Sequence, residues 1–355
     1  MKKKVLCAIV CAVVFLSACT TNDAPNMAPA PTVSPAAASL GNLQNRQGAE
    51  IVFAVSRDAD DILINAARDF ANGLEERTNG ALTARVELSI APDADLLTGD
   101  AQIALLSKRR QLEFCASLAT SATPFLYNGF NNFLMRSNAG NVMSILEFSL
   151  RQDHGLIPLA AFYQGAQHLL IDFSPGGYQH FDSMTIITSE DEHVREFFGM
   201  LVGVGGNTIP FDTEEERMEN FLCGTGNAVE TSLQSLVDMQ EEGFRHHVHL
   251  IVSYHDLVPV WLVANAEFID RLPPAWKAEI AELRAYMANQ INDAYRNADN
   301  EHLRILRYDV PNLTLVTQFT HVRNRLFNNL PPLGEEADER QALGRDLLNI
   351  MRRTA

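Results

Sequence analysis

The pattern of apolar and polar positions along the chain predicts strands and helices in alternation. Residues 50–56 form a short apolar run that predicts a strand, and residues 60–78 carry their apolar side chains on one broad stripe, which indicates an amphipathic helix. Residues 82–90 alternate between apolar and polar, as a half-buried strand does, and 102–106 is a further apolar strand. A strand, a helix and a strand in this order form a βαβ unit, which implies a parallel sheet.

The later part of the chain repeats this alternation and contains one very long helix. Strands are predicted at 156–163, 168–173, 182–188, 228–231, 248–253 and 258–265, and helices at 142–152, 191–201 and 213–222. Pro273 or Pro274 begins a helical pattern that continues to about Arg307, a length of about 50 Å at 1.5 Å per residue. The globular part exceeds the size at which one core usually stops growing, so two lobes are expected, with the long helix spanning both.

The first 19 residues predict export from the cytoplasm and attachment to a membrane. Three lysines precede an apolar run, 5–15, that is too short to cross a bilayer but suits a secretory signal. The Leu-Ser-Ala-Cys that follows resembles the lipobox of bacterial lipoproteins, in which the cysteine is acylated after cleavage. We therefore expect residues 1–18 to be a signal peptide and Cys19 to carry the lipid anchor outside the cytoplasm. The alternative is an ordinary signal cleaved after Ala18, which leaves Cys19 free.

The charge of the chain excludes one class of partner. The formal net charge is −16, and loss of three lysines with the signal leaves 25 of the 28 basic residues against 44 acidic ones, a charge of −19. Nucleic-acid binding depends on clustered Lys and Arg, so no nucleic-acid partner is expected. A small anionic ligand is compatible with this charge, because one arginine in a closed cleft outweighs a diffuse field. Cys115 and Cys223 belong to the folded part, and their spacing leaves their pairing open.

Several segments, in order along the chain, carry a family resemblance. They are Leu-Glu-Glu-Arg-Thr-Asn-Gly at 74–80, Ala-Thr-Pro-Phe-Leu-Tyr at 122–127, Gly-Leu-Ile-Pro-Leu-Ala at 155–160, the stretch 206–230 with its acidic end, and 254–265 with the long helix after it. Together they resemble the DctP-like solute receptors of TRAP (tripartite ATP-independent periplasmic) transporters. The resemblance covers about residues 50–330.

The resemblance implies a two-lobed α/β periplasmic-binding-protein-like fold with hinge strands and a long helix spanning both lobes. Such a receptor binds a small organic solute, usually an organic acid, in the interlobe cleft and delivers it to the membrane permease subunits. It is not an enzyme and needs no cofactor. The expected domains are a flexible linker at 19–48, lobe I at 49–165 and 255–275, lobe II at 166–254, the long helix and following elements at 273–330, and a C-terminal helix or tail at 331–355.

The chain departs from the family where the ligand carboxylate is held. Ile187 stands where the family places an arginine, Gln167 replaces a second arginine, and Asn227-Ala228 replaces an Asp-Gly. A guanidinium clamps a carboxylate through two hydrogen bonds, which isoleucine does not provide. Either the ligand is neutral, cationic or differently oriented, or another arginine has taken this role. Arg57 is then the favoured candidate, because it follows the first strand at the sheet edge where open α/β sheets bind ligands.

Six residues are expected to line the cleft, and they include candidates from both explanations. They are Arg57, Gln167, Asn207, Asn227, Glu230 and Tyr254. Glu230 is otherwise a hydrogen-bonding residue at a domain edge, Tyr254 is favoured as a cleft wall, and Trp261 is favoured as a core residue. The alternative function is a sensor or scaffold that keeps the receptor fold without taking part in uptake. No ordered nucleophile, metalloprotease or phosphate-loop signature is present, and the histidines at 246–249 lack a carboxylate or cysteine at ligand spacing.

Overall fold

The computed structural model describes residues 49–317, except 120, 122, 125, 128, 174–183, 191–193, 196–197, 200–201, 203–205 and 240–242. The predicted signal peptide, Cys19, the linker and the C-terminal segment 331–355 lie outside the described residues, as does most of the predicted helix 191–201. None of the helices in the described part of the chain is both long and apolar enough to cross a membrane.

Within the described ranges, nine strands form one mixed sheet. They are β1 (Ala49–Ser56), β2 (Leu82–Ser89), β3 (Ile103–Leu106), β4 (Leu156–Ile171), β5 (Thr185–Thr188), β6 (Asn207–Pro210), β7 (Ala228–Ser232), β8 (Val248–Asn265) and β9 (Leu313–Val316). Their order is β2-β1-β3-β8-β4-β7-β5-β6, and β9 pairs with β8. β1 pairs in parallel with β2 and β3, as the βαβ pattern predicted, and β5 pairs in parallel with β6 and β7. The central β4 and β8 are antiparallel to each other.

The described residues also form ten helices. They are α1 (Asp61–Arg77), α2 (Pro92–Thr98), α3 (Lys108–Phe114), α4 (Ala116–Ala119), α5 (Phe130–Ser137), α6 (Gly140–His154), α7 (Glu214–Leu222), α8 (Leu233–Asp238), α9 (Ala266–Arg271) and α10 (Pro274–Tyr308). The side chains of Asp60 and Thr213 cap α1 and α7, where the sequence predicted the helix starts. α10 is 35 residues long, which confirms the long helix, and it packs against α1 and β4.

The strands β4 and β8 are each continuous, so the prediction of four shorter strands here was wrong. The polar stretch in each strand was interpreted as a break, but it forms irregularities within the ladder. The β4–β8 register shifts between Tyr163 and Ala166 and again between Gln167 and Leu169. Gly165 (φ 101°) and Tyr254 (φ 46°) adopt left-handed backbone conformations there, which accommodate the bulges without ending the strands.

Where the chain is described, the buried apolar side chains form one large cluster and two smaller ones, and β4 and β8 contribute to all three. The large cluster contains Phe53, Phe70 and Trp261, and the smaller ones include Ile186 and Val229 on β5 and β7. α10 contributes Ile280 to Tyr295 to the large cluster and Leu306 to a smaller one. The two long strands and the long helix therefore connect the core regions.

Candidate functional site

A charged cleft with a volume of about 430 Å³ opens beside the irregular part of β4 and β8. Its walls come from the start of α3, from β4, β7 and β8, from the end of β5, and from the segment that leads into α7. The lining residues are Lys108, Arg109, Gln167, Ser189, Glu190, Asp212, Arg217, Glu230, Asp256 and Val258. Nine of these ten side chains are polar or charged, so the cleft suits a polar or ionic ligand.

Glu230 is the most completely bonded carboxylate in the cleft. It is 2% exposed, and its Oε2 accepts hydrogen bonds from the Thr188 hydroxyl at 2.9 Å and the Ser189 amide at 3.0 Å. Its Oε1 lies 3.3 Å from His255 Nε2. Burial raises the pKa of Glu230, but the hydrogen bond and charge of His255, with the charges of Lys108 and Arg217, outweigh burial and lower this pKa to about 2. Glu230 is therefore ionised at neutral pH and fixed in one position.

Asp256 forms a buried ion pair with Lys108 at the base of the cleft. The Lys108 ammonium donates to Asp256 Oδ2, and the two side chains are 15% and 2% exposed. Burial raises the pKa of the Asp256 carboxyl, the charge of Lys108 opposes this in part, and the charge of Glu230 adds to it. Its second oxygen, Oδ1, is buried and has no hydrogen-bond partner among the described residues.

Arg217 brings a buried guanidinium into the cleft. It lies in α7, is 6% exposed, and donates through Nη1 to the carbonyl oxygens of Phe211 and Asp212, both at 3.4 Å. Its Nε is buried without a partner among the described residues. Arg109 is the third cation of the cleft and lies 3.6 Å from Asp212 across its exposed rim.

The structure brings two of the six predicted ligand residues to the cleft. Gln167 and Glu230 line it, whereas the other four do not. Arg57 is exposed after β1, and its amide donates to the Ser89 carbonyl. Asn207 is the exposed first residue of β6. Tyr254 is half-buried, stacked edge-on against the buried His168 with ring centroids 4.7 Å apart.

Asn227 acts as a connector between strands. Its side-chain Oδ1 accepts from the Thr185 amide at 2.8 Å, its own amide donates to the Thr185 carbonyl, and its carbonyl accepts from the Asp172 amide. These bonds tie the start of β7 to the start of β5 and the end of β4. The sequence predicted that Asn227 lines the cleft and bonds to the ligand, whereas in the structure it does not line the cleft and its side-chain oxygen bonds to the Thr185 backbone.

Replacing Asn227 with alanine should therefore destabilise the fold. We expect Asn227→Ala to lower the free energy of unfolding by about 1–2 kcal/mol, because the Thr185 amide loses its acceptor. Asn207→Ala is the matched control, since the described residues show no side-chain hydrogen bond for Asn207, and it should change stability by less than about 0.5 kcal/mol. Urea unfolding followed by circular dichroism measures both; equal effects would contradict this role of Asn227.

Sequence reasoning missed Lys108, Arg109, Arg217 and Asp256. Lys108 and Arg109 belong to a Lys-Arg-Arg run that follows the end of β3 after one intervening residue, which is the same signal that pointed to Arg57. Asp256 lies in the stretch interpreted as a gap between two strands. Arg217 lies on a helix rich in glutamate, where a solvated cation is the ordinary interpretation, and no sequence signal singled it out.

The described residues contain no group of three or more His, Cys, Asp or Glu side chains arranged to hold a metal ion. The rings of His247 and His249 pack edge to face with centroids 5.0 Å apart, and His247 Nε2 lies 2.9 Å from the Thr314 hydroxyl. Cys115 is buried and Cys223 is exposed, and both are free thiols.

The fold has counterparts among solved structures, although sequence comparisons find none. No protein-family model matches the chain, and no curated protein matches its sequence. A TRAP periplasmic solute binding protein from Ochrobactrum anthropi, with its C-terminus bound in the ligand binding pocket, matches with a TM-score of 0.70 at 17% identity; the match covers 87% of this chain and 96% of that one.

Two further matches contain small ligands. A sugar acid binding protein from Advenella mimigardefordensis, in complex with galactonate, gives a TM-score of 0.62 at 16% identity over 87% of this chain and 99% of that one. A TRAP periplasmic solute binding protein from Shewanella oneidensis, with bound succinate, gives 0.60 at 16% identity over 86% and 98%. The chain therefore has the two-lobed α/β fold of the TRAP periplasmic solute binding proteins, which confirms the predicted fold class.

Proposed function

We propose that this chain is an extracytoplasmic solute receptor that binds a small organic ion in the charged cleft. The observation that carries the proposal is Arg217, a buried cation that lines the cleft and keeps one donor without a hydrogen-bond partner among the described residues. A guanidinium in this state is suited to an acidic group of a ligand, because charge-assisted hydrogen bonds satisfy the buried donor. Arg217 would then replace the arginine that the family places at the position of Ile187.

The wider role that we propose is supported by the fold of the TRAP periplasmic solute binding proteins and by the signal-like start of the sequence. The receptor is attached to the membrane through an acylated Cys19, with residues 19–48 as a linker, and delivers its ligand to the permease subunits of a TRAP-type transporter. Closure of the two lobes around the cleft sequesters the ligand and presents a new surface to the permease. The protein acts by binding and release and is not an enzyme.

Ligand-dependent thermal stability tests this function. The chain without residues 1–18 is heated in the presence of a panel of small organic acids, amino acids and amines that includes succinate and galactonate. A ligand at about 100 times its dissociation constant stabilises the folded state by about 2.7 kcal/mol, which should raise the melting temperature by several degrees.

Two arginine variants show whether the binding uses the cleft. Arg217→Ala should weaken the affinity for the stabilising solute by about 10- to 100-fold, because a charge-assisted hydrogen bond is lost. Arg57→Ala is the matched control and should leave the affinity unchanged, since Arg57 does not line the cleft. If binding is lost in Arg57→Ala alone, Arg57 and not Arg217 holds the acidic group of the ligand. If no member of the panel stabilises the chain, it is not a receptor for these solutes.

A further inference from the structure

Three side-chain atoms of the cleft-lining residues are buried without a hydrogen-bond partner among the described residues. They are one donor, Arg217 Nε, and two acceptors, Asp256 Oδ1 and Gln167 Oε1. Arg217 and Asp256 are 6% and 2% exposed, so both are more than nine-tenths buried. Buried polar groups in folded proteins are almost always bonded, and each exception requires an explanation.

The two charged groups are held in place by contacts on their other side. Asp256 Oδ2 accepts from Lys108, and Arg217 Nη1 donates to the carbonyls of Phe211 and Asp212. Each group therefore has one side that is held by protein contacts and one atom for which the described part of the chain provides no partner. Such preorganisation is a property of binding sites, because a ligand then meets groups that need no further ordering.

The charges of the lining residues also limit the ligand. Three cations (Lys108, Arg109 and Arg217) face four carboxylates (Glu190, Asp212, Glu230 and Asp256). A purely anionic ligand would add to the excess of negative charge and leave Asp256 Oδ1 without a donor. A purely cationic ligand would leave the buried Arg217 donor without an acceptor. Both outcomes keep a buried charged group incompletely bonded, which is unfavourable.

We propose that the ligand is a small zwitterion, with an anionic group bonded to Arg217 and a protonated nitrogen that donates to Asp256 Oδ1 and Gln167 Oε1. The inference rests on the proposed receptor function and assigns the ligand class of the same cleft. The nitrogen must carry hydrogen, because the two acceptors require donors. A primary amine, secondary amine or amidinium therefore fits, and a quaternary ammonium does not.

Three matched series of probes test the charge pattern on the unchanged chain. The zwitterions are 4-aminobutyrate, 5-aminovalerate and 6-aminohexanoate; the dianions are succinate, glutarate and adipate; the dications are putrescine, cadaverine and 1,6-diaminohexane. Calorimetric titration at about neutral pH compares molecules of the same length that differ only in charge. We expect the preferred zwitterion to bind at least about 10-fold more tightly than its dianion and dication counterparts, the difference that one charge-assisted hydrogen bond makes.

An Asp256→Asn variant then tests the acceptor directly. The change removes the negative charge that the protonated nitrogen of the ligand would meet, so the zwitterion should lose about 10- to 100-fold in affinity while the matched dianion gains. Asp58→Asn, at an exposed position after β1, is the control and should change neither affinity. Circular dichroism verifies that both variants fold, and the probe comparison on the unchanged chain stands without them.

The outcomes separate this inference from the proposed function. Tightest binding by a dianion would overturn the zwitterion and leave a receptor for organic acids in place. Tightest binding by a dication would overturn the role of Arg217 in ligand recognition. Absence of binding in all three series would overturn the zwitterion, and the proposed function itself fails only if the wider panel of solutes also fails to stabilise the chain.

Discussion

Glu230→Gln is expected to lower the free energy of unfolding by about 3 kcal/mol at neutral pH, since it removes the charge from a buried, fully bonded carboxylate. Glu230 accepts from Thr188, Ser189 and His255, and its neighbours Lys108 and Arg217 are positive. The amide keeps the shape of the side chain but removes the negative charge that these two cations stabilise. Glu190→Gln is the matched control; Glu190 lines the same cleft but is exposed, so the change should stay within about 0.5 kcal/mol.

The pH dependence gives an independent check of the same residue. The pKa of Glu230 is lowered in the folded state to about 2 from 4.5, so the unfolded chain takes up its proton first as the pH falls. The stabilisation is therefore complete above about pH 4.5 and is lost as the pH decreases towards about 2. Urea unfolding measures the free energy of unfolding of the wild type and of Glu230→Gln. The difference between the two should be largest near neutral pH and should decrease below about pH 4.5. A difference in free energy of unfolding that does not change with pH would contradict the ionised state of Glu230.

Trp261→Ala should also have a large effect and lower the free energy of unfolding by about 3–5 kcal/mol. Trp261 is 0% exposed in β8, where that strand pairs with Leu106 of β3 and Ala161 of β4. Its indole nitrogen also donates to the Ser121 hydroxyl at 3.1 Å. Truncation opens a cavity in the large apolar cluster and removes this hydrogen bond. Both effects lower the free energy of unfolding.

The second tryptophan provides the comparison. Trp276 is only partly buried against the same cluster, so Trp276→Ala should be clearly less destabilising than Trp261→Ala. Thermal or urea unfolding with a probe that does not depend on tryptophan fluorescence measures both variants. Equal losses would contradict the central position of Trp261 in the core, and a loss for Trp261→Ala below about 1 kcal/mol would do so as well.

The sequence predicts best those elements whose periodicity is long and regular. The stripe over α1, the alternation over β2 and the uninterrupted pattern over α10 each correspond to one element in the structure. β4 and β8 were divided in two because Gly165 and the polar stretch around Tyr254 are typical of turns. Within a sheet, neighbouring strands accommodate such residues as bulges, and a single chain segment gives no indication of its neighbours.

The position of the cations in the cleft could not be predicted from the sequence either. Arg57 and Lys108 each follow a parallel strand at its carboxyl end, so the rule that favoured one applies equally to the other. The strand order distinguishes them: β3 pairs with β8, which carries Asp256 to the cleft, whereas β1 lies between β2 and β3. That order depends on long-range pairing, which local patterns do not contain.

Arg217 could not be predicted for a related reason. It lies among Glu214, Glu215, Glu216 and Glu219, where helical spacing suggests an exposed, charged surface. The structure buries it because α7 packs against β5 and β7, with Met218 and Phe221 in the apolar cluster on that side. Burial of a particular helical face is set by tertiary packing, and the helix sequence alone did not identify the face that holds Arg217.

Native mass spectrometry of the chain without residues 1–18, purified without denaturation, tests most directly whether the cleft holds a solute. We expect one small organic molecule per chain in the wild type and in Arg57→Ala, and its loss in Arg217→Ala. A wild-type chain that carries no small molecule, and that still carries none after incubation with a cellular metabolite extract, would contradict the receptor function.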